Sequence, residues 1–462
     1  MGNKVYLDNH NHKQGILNLI LGMSFLLTKT NQLGPVTGAE RIRSLDVLRG
    51  VALLGILLMN ITGFGLVFWA YVDPTIQGGS EGYNLYAWVM NNMFFEGTMR
   101  AMFSMLFGVG MVLMTSRMIN KGGGIEVADI YYRRTIWLLI FGVIHGYIIL
   151  WTGDILFAYG LYGLFLFPFR NTSPKKLIMA AAILTLIGVA LASYGYSKDM
   201  KHLEQYTKAQ SYVNESDIPE DIKEGKEAWE ALVTEMKTPE EKVLEDTESM
   251  HKGYFDIVLF LAPVNRFMQS TFNYDYNPWD ILAMMLLGIA LYKLRVITAE
   301  LSYKSYLIMM VVGYGIGLSV NYYETMLILN DNFSVPSFHK AGRTYAIGRI
   351  AVSFGHIGLV MIFCKLNIIV FLKNALAAVG RMALTNYIMH SVICAIIFTG
   401  VGFSMFGKLQ RYELYYVVVS IWIFQLIASP IWLKYYRFGP LEWMWRSLTY
   451  KQIQPFKRQI PK

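Results

Sequence analysis

The sequence predicts an all-α protein: a polytopic integral membrane helical bundle of about ten transmembrane helices, with both termini cytoplasmic. The composition is 54% hydrophobic and only 16% charged over 462 residues, which is far more apolar than a soluble domain requires. Apolar runs long enough to cross about 30 Å of hydrocarbon recur along the chain, and each must be helical because lipid offers the backbone no hydrogen-bond partners. Lys and Arg collect at alternate connections between these runs.

Ten apolar segments are the candidate spans. They cover residues 45–68, 97–118, 135–150, 155–169, 177–196, 279–294, 306–322, 344–364, 382–401 and 414–432. The connection 73–92 contains no Lys or Arg, whereas basic residues precede the first span and fill the tail after residue 433. Because positively charged loops are retained in the cytoplasm, both termini are expected on that side.

Five regions follow from this pattern. They are an N-terminal extension (1–40), an N-terminal transmembrane half (41–197), an acidic insertion (198–252), a C-terminal transmembrane half (253–450) and a basic cytoplasmic tail (451–462). The insertion carries 15 acidic and 8 basic side chains, so it is expected outside the cytoplasm as a small cap of exposed helices. The extension holds a 12-residue apolar run, too short to span, which predicts an interfacial helix.

Three polar side chains interrupt the first span. A helix advances about 100° per residue, so Arg49 and Asn60 lie within about 20° of each other, and Asp46 lies one turn before Arg49. Ionisable side chains at membrane depth cost about 2.5–3.5 kcal/mol each on insertion scales, so they tend to face the bundle interior and to pair. They form either a structural ion pair near the cytoplasmic surface or part of a binding site.

Polar side chains recur in or beside the other spans, at Glu96, Arg100, Arg133, Arg134, His145, Asp154, Arg349, His356, Arg381, Asn386 and His390. Glu96 and Arg100 have the spacing of an i, i+4 pair. His145 and Asp154 flank a short hairpin, so two antiparallel helices could bring them to the same depth. A single membrane histidine is usually a packing residue, but three of them with arginines and carboxylates favour a buried polar cavity.

The sequence contains no Walker A motif, no dinucleotide-binding glycine fingerprint, no HExxH and no metal-type cysteine spacing. No permanently bound cofactor or metal is therefore expected. The glycines of "GVGMVL" and "GYGIGL" are predicted to let helices pack closely. The net charge of +9 is explained by cytoplasmic loops facing anionic lipid, so the expected partner is the bilayer and not nucleic acid.

Five segments carry a family resemblance: "ERIRSLDVLRGVALLGILLMNI", "FFEGTMRAMFSMLFGVGM", "FGVIHGYIILWTGDILFAYGLYG", "LAAVGRMALTNYIMHSVI" and "RFGPLEWMWRSLTY". In this order they resemble the YeiB-like family of bacterial polytopic membrane proteins, from residue 40 to about residue 450. The C-terminal half looks like the part of that family known as a domain of unknown function. The resemblance implies a multi-pass protein of the bacterial cytoplasmic membrane.

The N-terminal half is more distantly similar to transmembrane acyltransferases typified by heparan-alpha-glucosaminide N-acetyltransferase. The similarity rests on "SLDVLRG" at 44–50 and loosely on 97–110. It implies transfer of an acyl group from cytoplasmic acyl-CoA to an acceptor across the membrane. That family's histidine before the second span has no counterpart here, because residues 73–96 contain no histidine, so another base is required.

Two functions are therefore predicted as alternatives. The first is an acyltransferase that moves an acyl group from acyl-CoA, as co-substrate, to an envelope sugar, glycolipid or small amine. His145 with Asp154 would be its base, His390 with Asn386 a second candidate, and the arginines would contact the CoA phosphates. The second is a transporter or exporter of a small molecule or lipid that uses the same buried charges. Monomer and homodimer both stay open.

Overall fold

The computed structural model describes residues 41–458, so the predicted interfacial helix in 1–40 lies outside the described residues. Over this range the secondary structure is helical, apart from one isolated bridge between Tyr436 and Lys457. The first half contains α1 (Arg43–Gly65), α2 (Gly82–Phe94), α3 (Thr98–Asn120), α4 (Glu126–Tyr147), α5 (Leu156–Leu166) and α6 (Pro174–Ala209).

The insertion adds α7 (Glu220–Met236) and α8 (Glu240–Met250). The remaining helices are α9 (Tyr254–Gln269), α10 (Thr271–Asp275), α11 (Ala283–Lys293), α12 (Tyr303–Asn330), α13 (Val335–Gly342), α14 (Tyr345–Lys365), α15 (Val370–Arg381), α16 (Ala383–Phe398), α17 (Arg411–Tyr435) and α18 (Pro440–Tyr450). Several begin with local signals: Ser302 caps α12, and Gln410 with Glu413 forms a capping box on α17.

Six helical segments of the described chain are long and apolar enough to cross a membrane: α1, α2 with α3, α6, α12, α14 and α17. A seventh span results if α15 and α16, which meet at an angle of 83°, are counted together. The chain is therefore a multi-pass membrane protein with an all-helical fold. The predicted count of ten spans is not confirmed.

Part of the difference arises from short helices, whereas the predicted span 135–150 lies largely in α4, which has 22 residues but is not among the six segments. The predicted spans 155–169 and 279–294 contain α5 and α11, each of 11 residues, which rise only about 16 Å, half the thickness of the hydrocarbon. Every residue of α11 from Ala283 to Leu291 is buried inside the protein. Their apolar sequences therefore serve burial against other helices and not contact with lipid.

Helix α1 forms the centre of the bundle. Its most apolar window is 72% buried, whereas those of α6 and α12 are only 11% and 22% buried. The side chains of Leu186 and Val311 on these peripheral helices are more than half exposed. Apolar surface of this extent on outer helices is the surface that lipid covers.

Glycines set the closest helix contacts. A Cβ on Gly50 of α1 would clash with the Leu376 carbonyl of α15, and a Cβ on Gly380 would clash with the Asp46 carbonyl of α1. Gly108 packs in the same way against Met285, so the glycine stretch "GVGMVL" is a packing feature. These contacts bring α15 directly against the beginning of α1.

The insertion packs against the end of the bundle opposite to the start of α1. Helix α6 continues into it, and Trp229 and Met236 of α7 form an apolar cluster with Val335. Lys237 binds Asp73 Oδ2 at 2.5 Å, and His339 binds Asp199 Oδ2 at 2.6 Å. The insertion is thus fixed by ion pairs as well as by apolar contacts.

Candidate functional site

An arginine-rich cavity of about 240 Å³ opens where α1 begins, beside the ends of α3 and α15 and the starts of α4 and α16. Six arginines line it: Arg41, Arg49, Arg117, Arg134, Arg381 and Arg446. Its lining carboxylates are Asp46 and Glu442, so arginines outnumber carboxylates by four. The sequence assigned basic connections far apart in the chain to one side of the membrane, and the fold brings these arginines together.

Both carboxylates already have partners. Asp46 accepts a hydrogen bond from Arg41 at 3.3 Å and another from Arg49 at 3.1 Å. Glu442 accepts hydrogen bonds from the backbone N–H of Leu384 at 2.7 Å and from the hydroxyl of Thr385 at 2.6 Å. The two acids therefore organise the start of α1 and the start of α16.

Two further arginines of the cavity, Arg134 and Arg446, are held by aromatic rings. The guanidinium of Arg134 lies 3.6 Å from the centre of the Trp445 ring, and that of Arg446 lies 4.6 Å from the Phe438 ring. The Nε atoms of Arg381 and Arg446 are buried without a hydrogen-bond partner. Burial also lowers the pKa of Arg446, which lies in α18 beyond the last candidate span. An anionic ligand would satisfy these donors.

The other end of the cavity is apolar and aromatic. Phe103 and Phe107 of α3, Leu156 and Tyr159 of α5, and Tyr387 of α16 line it. The cavity therefore combines a cationic mouth with an apolar interior. This combination suits an amphiphile that has anionic groups at one end and an acyl group at the other.

Beyond Tyr387 lies a chain of three buried polar side chains. His145 Nδ1 is 2.7 Å from Asp154 Oδ1, as the hairpin spacing predicted, and His145 Nε2 is 2.7 Å from Ser391 Oγ. The side chain of His145 is completely buried, and those of Asp154 and Ser391 are nearly so. The Tyr387 ring packs edge-on against the His145 ring, with 5.0 Å between the ring centres. One aromatic side chain thus separates this triad from the cavity.

The second predicted histidine belongs to a neighbouring network. His390 Nε2 is 2.9 Å from Gln425 Oε1, and Gln425 Nε2 donates to the Asn386 carbonyl at 3.1 Å. The Asn386 side chain donates to Ser429 Oγ at 3.1 Å. These bonds tie α16 to α17, and His390 Nδ1 remains buried without a partner.

Four predicted site residues lie together at the opposite end of α3. Glu96 accepts hydrogen bonds from Tyr71 at 2.5 Å and Tyr345 at 3.0 Å, while Arg100 pairs with Asp280 at 2.7 Å. The expected i, i+4 pairing of Glu96 with Arg100 is replaced by these contacts, because α3 begins only at Thr98.

In the same cluster Arg349 pairs with Glu324 at 3.0 Å. His356 Nε2 lies 2.8 Å from the Phe94 carbonyl, and its Nδ1 lies 2.7 Å from the Tyr314 hydroxyl. These two residues therefore belong to the polar cluster at the end away from the arginines. Helices α2, α12 and α14 hold it together.

The remaining predicted residues lie near the cavity or apart from it. Arg133 donates to the Thr449 carbonyl at 2.8 Å and pairs with Asp129, so it stabilises the contact of α4 with α18. Asn60 is half-buried and does not line the cavity. It lies 11 residues, about 16 Å, along α1 from Arg49, so sharing a helix face does not place both in one site.

Sequence reasoning missed Ser391 and the contribution of α18. Leu384, Tyr387 and Ser391 are spaced i, i+3, i+7 and therefore share one face of α16, which is a signal that could have linked Ser391 to a site. Glu442 and Arg446 lie one turn apart in α18, a segment whose sequence did not predict a transmembrane span. Only the fold shows that α18 closes the arginine cavity.

Comparison with known proteins gives the family context. Residues 291–452 match a family described as "Protein of unknown function (DUF418)". The chain is 29% identical over 451 residues to the uncharacterized protein YxaH of Bacillus subtilis, covering 93% of this chain and 99% of that protein. It is 28% identical over 427 residues to the uncharacterized protein YeiB of Escherichia coli, covering 90% and 98%. The predicted resemblance to the YeiB-like family is therefore confirmed, and residues 291–452 of the C-terminal half match a domain of unknown function.

Proposed function

We propose that the protein is a transmembrane acyltransferase that binds acyl-CoA in the arginine cavity and transfers the acyl group to an envelope sugar, a glycolipid or a small amine. The observation that carries this proposal is the composition of the cavity. Its cationic mouth and apolar interior lead to Tyr387, which packs against His145. A CoA thioester has the matching polarity, with phosphates at one end and an acyl group at the other.

The phosphates would bind at the mouth. Arginine forms bidentate, charge-assisted hydrogen bonds with phosphate, and Arg381 and Arg446 each have a buried Nε without a partner. Arg134 is held in place by stacking on Trp445. On the predicted topology this mouth faces the cytoplasm, where acyl-CoA is found.

His145 would act as the general base. Asp154 orients the imidazole through Nδ1, which leaves Nε2 to accept a proton. Asp154 is itself fixed at the start of α5 by the backbone N–H groups of Leu156 and Phe157, at 3.0 and 2.7 Å. The carboxylate and the imidazole are therefore pre-positioned.

The second candidate function is a carrier for a small molecule or lipid. It is favoured by a polar connection between the two ends of the bundle. The hydroxyl of Tyr159, which lines the cavity, lies 2.8 Å from Ser104 Oγ and donates to the Arg100 carbonyl at 3.4 Å. Arg100 belongs to the polar cluster at the opposite end of α3. Buried polar groups could therefore form a route for a ligand or a proton between the two ends of the bundle.

Binding of acetyl-CoA to purified protein, measured by calorimetry, tests the proposal. Arg134→Gln and Arg446→Gln should each weaken binding by about 10-fold or more, the scale of one lost charge-assisted hydrogen bond. Arg295→Gln is the matched control, because its side chain is 73% exposed and pairs with Glu300 away from the cavity. Equal affinities in all four proteins would contradict the proposed binding site.

The same preparation distinguishes transfer from transport. His145→Gln should keep its acetyl-CoA affinity while acyl transfer to a mixture of amine and sugar acceptors falls by about 10²-fold or more. A carrier would instead move its ligand across sealed vesicles without consuming the thioester. No acetyl-CoA binding by the wild-type protein would exclude the acyltransferase and leave the carrier.

A further inference from the structure

We propose that Ser391 is a nucleophile that carries the acyl group as a covalent ester between donor and acceptor. The inference rests on the proposed function for the identity of the donor. It also makes a claim that can be tested without acyl-CoA, namely that the Ser391 hydroxyl is chemically activated. Three observations support it: the partner of the Ser391 hydroxyl, the two hydrogen-bond partners of His145 and the position of Ser391 relative to the cavity.

The hydroxyl of Ser391 makes an unusual hydrogen bond for a serine in a helix. Ser and Thr side chains in helices commonly donate back to a carbonyl one turn earlier, and Ser104, Thr115 and Ser353 all do so here. Ser391 instead lies 2.7 Å from His145 Nε2, across 246 positions of the chain. Its hydroxyl thus points at the atom that could remove its proton.

The neighbours of His145 determine its tautomer. Asp154 Oδ1 accepts the backbone N–H of Leu156 at 3.0 Å and lies 2.7 Å from His145 Nδ1. Asp154 Oδ1 acts as an acceptor towards the Leu156 N–H, so in the proposed arrangement the Nδ1 that faces it is the donor. The lone pair on Nε2 then accepts the hydroxyl proton of Ser391. Asp154, His145 and Ser391 are thus hydrogen-bonded in the order acid, base and hydroxyl that activates a serine in hydrolases and acyltransferases.

The face of α16 connects Ser391 to the cavity. Leu384 and Tyr387 line the cavity, and Ser391 follows Tyr387 by one turn on the same face. Tyr387 is 2% exposed and lies between the cavity and the His145 ring. A rotation of this one side chain would open a path from the apolar end of the cavity to the Ser391 hydroxyl.

The chemistry balances in two steps. In the first, Ser391 Oγ attacks the thioester carbonyl while its proton moves to His145 Nε2; the C–S bond breaks, and the thiolate takes the proton from His145 and leaves as CoA. In the second, the acceptor hydroxyl or amine attacks the Ser391 ester while its proton moves to His145. The ester C–O bond breaks, and the proton returns to Ser391 Oγ. No oxidant, reductant or metal is required.

Two readouts on the full-length protein test the proposal. In the first, the protein is incubated with radiolabelled acetyl-CoA without acceptor, and the peptide containing Ser391 is analysed by mass spectrometry for an added acetyl group. In the second, a fluorophosphonate, which phosphonylates activated serines with loss of fluoride, is used in place of acetyl-CoA. We expect both reagents to modify Ser391.

Four variants accompany the wild type. Ser391→Ala should lose both modifications, while Ser391→Cys should regain acetylation as a thioester even if Ser391→Ala fails to fold. His145→Gln should slow both modifications by about 10²-fold or more. Ser353→Ala is the matched control, because Ser353 is also a buried helical serine but has only backbone partners. It should label like the wild type.

The outcomes separate this inference from the proposed function. Acetyl transfer without modification of Ser391, and at wild-type rate in Ser391→Ala, would overturn the nucleophile and leave the acyltransferase intact. Absence of acetyl-CoA binding together with fluorophosphonate labelling of Ser391 would overturn the CoA donor and support the activated serine. Absence of both modifications would show that the Ser391 hydroxyl is not activated.

Discussion

At the residue scale, the two carboxylates of the arginine cavity show how ionisable groups become tolerable near a membrane. Asp46 is shared by Arg41 and Arg49, so the pair that the sequence suggested is a three-membered network. Glu442 has no arginine partner at ion-pair distance in the described chain and is held instead by donors from the start of α16. Both arrangements leave Arg134 and Arg446 available for a ligand.

Glu442 makes the stability of the protein depend on pH. Burial raises the pKa of its carboxyl above the ordinary value of 4.5, while hydrogen bonds from Thr385 and Leu384 partly counter this rise. The folded state therefore binds this proton more tightly than the unfolded chain, and the free energy of unfolding falls as the pH rises above 4.5 towards the raised pKa.

Replacing Glu442 with Gln should remove this pH dependence. We expect the melting temperature of the detergent-solubilised wild type to decrease between about pH 5 and pH 8 by more than that of Glu442→Gln. A differential scanning experiment on both proteins measures the two slopes. Identical slopes would show that Glu442 does not titrate in this range.

At the element scale, the bend between α15 and α16 forms part of the lining of the arginine cavity. The 83° angle changes the direction of the chain just after Arg381, and the backbone N–H of Thr385 at the start of α16 donates to Glu442. Gly380 permits this arrangement because its missing side chain lets α15 touch the Asp46 carbonyl. The close contact therefore positions Asp46 and Arg381 beside each other.

Gly380→Ala should disturb this contact. The added methyl group would meet the Asp46 carbonyl and the Gly50 nitrogen, which are backbone atoms that cannot rotate away. We expect a loss of about 1–3 kcal/mol in the free energy of unfolding, the usual cost of overpacking. Gly195→Ala in α6 is the control, since a Cβ there meets nothing within 4 Å and should be neutral or slightly stabilising.

Thermal unfolding of the Gly380→Ala and Gly195→Ala proteins tests this prediction. A Gly380→Ala protein as stable as the Gly195→Ala protein would mean that α15 moves away from α1 without cost. The shape of the arginine cavity would then not depend on this glycine.

The sequence predicted helices more reliably than it predicted spans. Apolar composition identified α1, α3, α14 and α17 within a few residues, because long apolar runs in a membrane have no alternative to the helix, whereas the predicted end of α12 fell short of Asn330. It could not separate lipid-facing helices from short buried ones such as α11, since both are equally apolar. The bend after Arg381 also gave no signal, because "GRMAL" contains no proline and is compatible with a continuous helix.

The candidate site was predictable only where its members are close in sequence. The pairing of His145 with Asp154 followed from the nine residues and the hairpin between them. Ser391 completes the triad from 246 positions away, and no periodicity in α16 specifies which helix faces it. Long-range partners of this kind depend on how the helices pack, which a single sequence does not contain.

At the scale of the whole molecule, the arginine cavity and the acidic insertion lie at opposite ends of α1. Arg49 lines the cavity near the start of this helix, while Asp73, shortly after its end, binds Lys237 of the insertion. If the membrane surrounds the apolar helices between them, the two features face opposite compartments. The charge pattern predicts that the arginines face the cytoplasm and that the insertion lies outside.

Cysteine labelling tests this topology. In a protein without Cys364 and Cys394, a cysteine at the exposed position Glu227 should react with a membrane-impermeant maleimide in intact cells. A cysteine at Arg295, whose side chain is 73% exposed near the arginine end, should react only after permeabilisation. The reverse labelling pattern would show that the protein has the opposite orientation in the membrane.

The length of α6 has a mechanical consequence. Its 36 residues rise about 54 Å, which exceeds the hydrocarbon thickness of about 30 Å by about 24 Å. If α6 tilts as a rigid helix by about 10° about its first residue, its other end moves by about 9 Å. The bond of Asp199 to His339 fixes α6 beside α13, and the bond of Lys237, which directly follows α7, to Asp73 ties the insertion to the segment after α1. Because α6 continues without a break from the bundle into the insertion, a displacement of the insertion would act directly on the bundle.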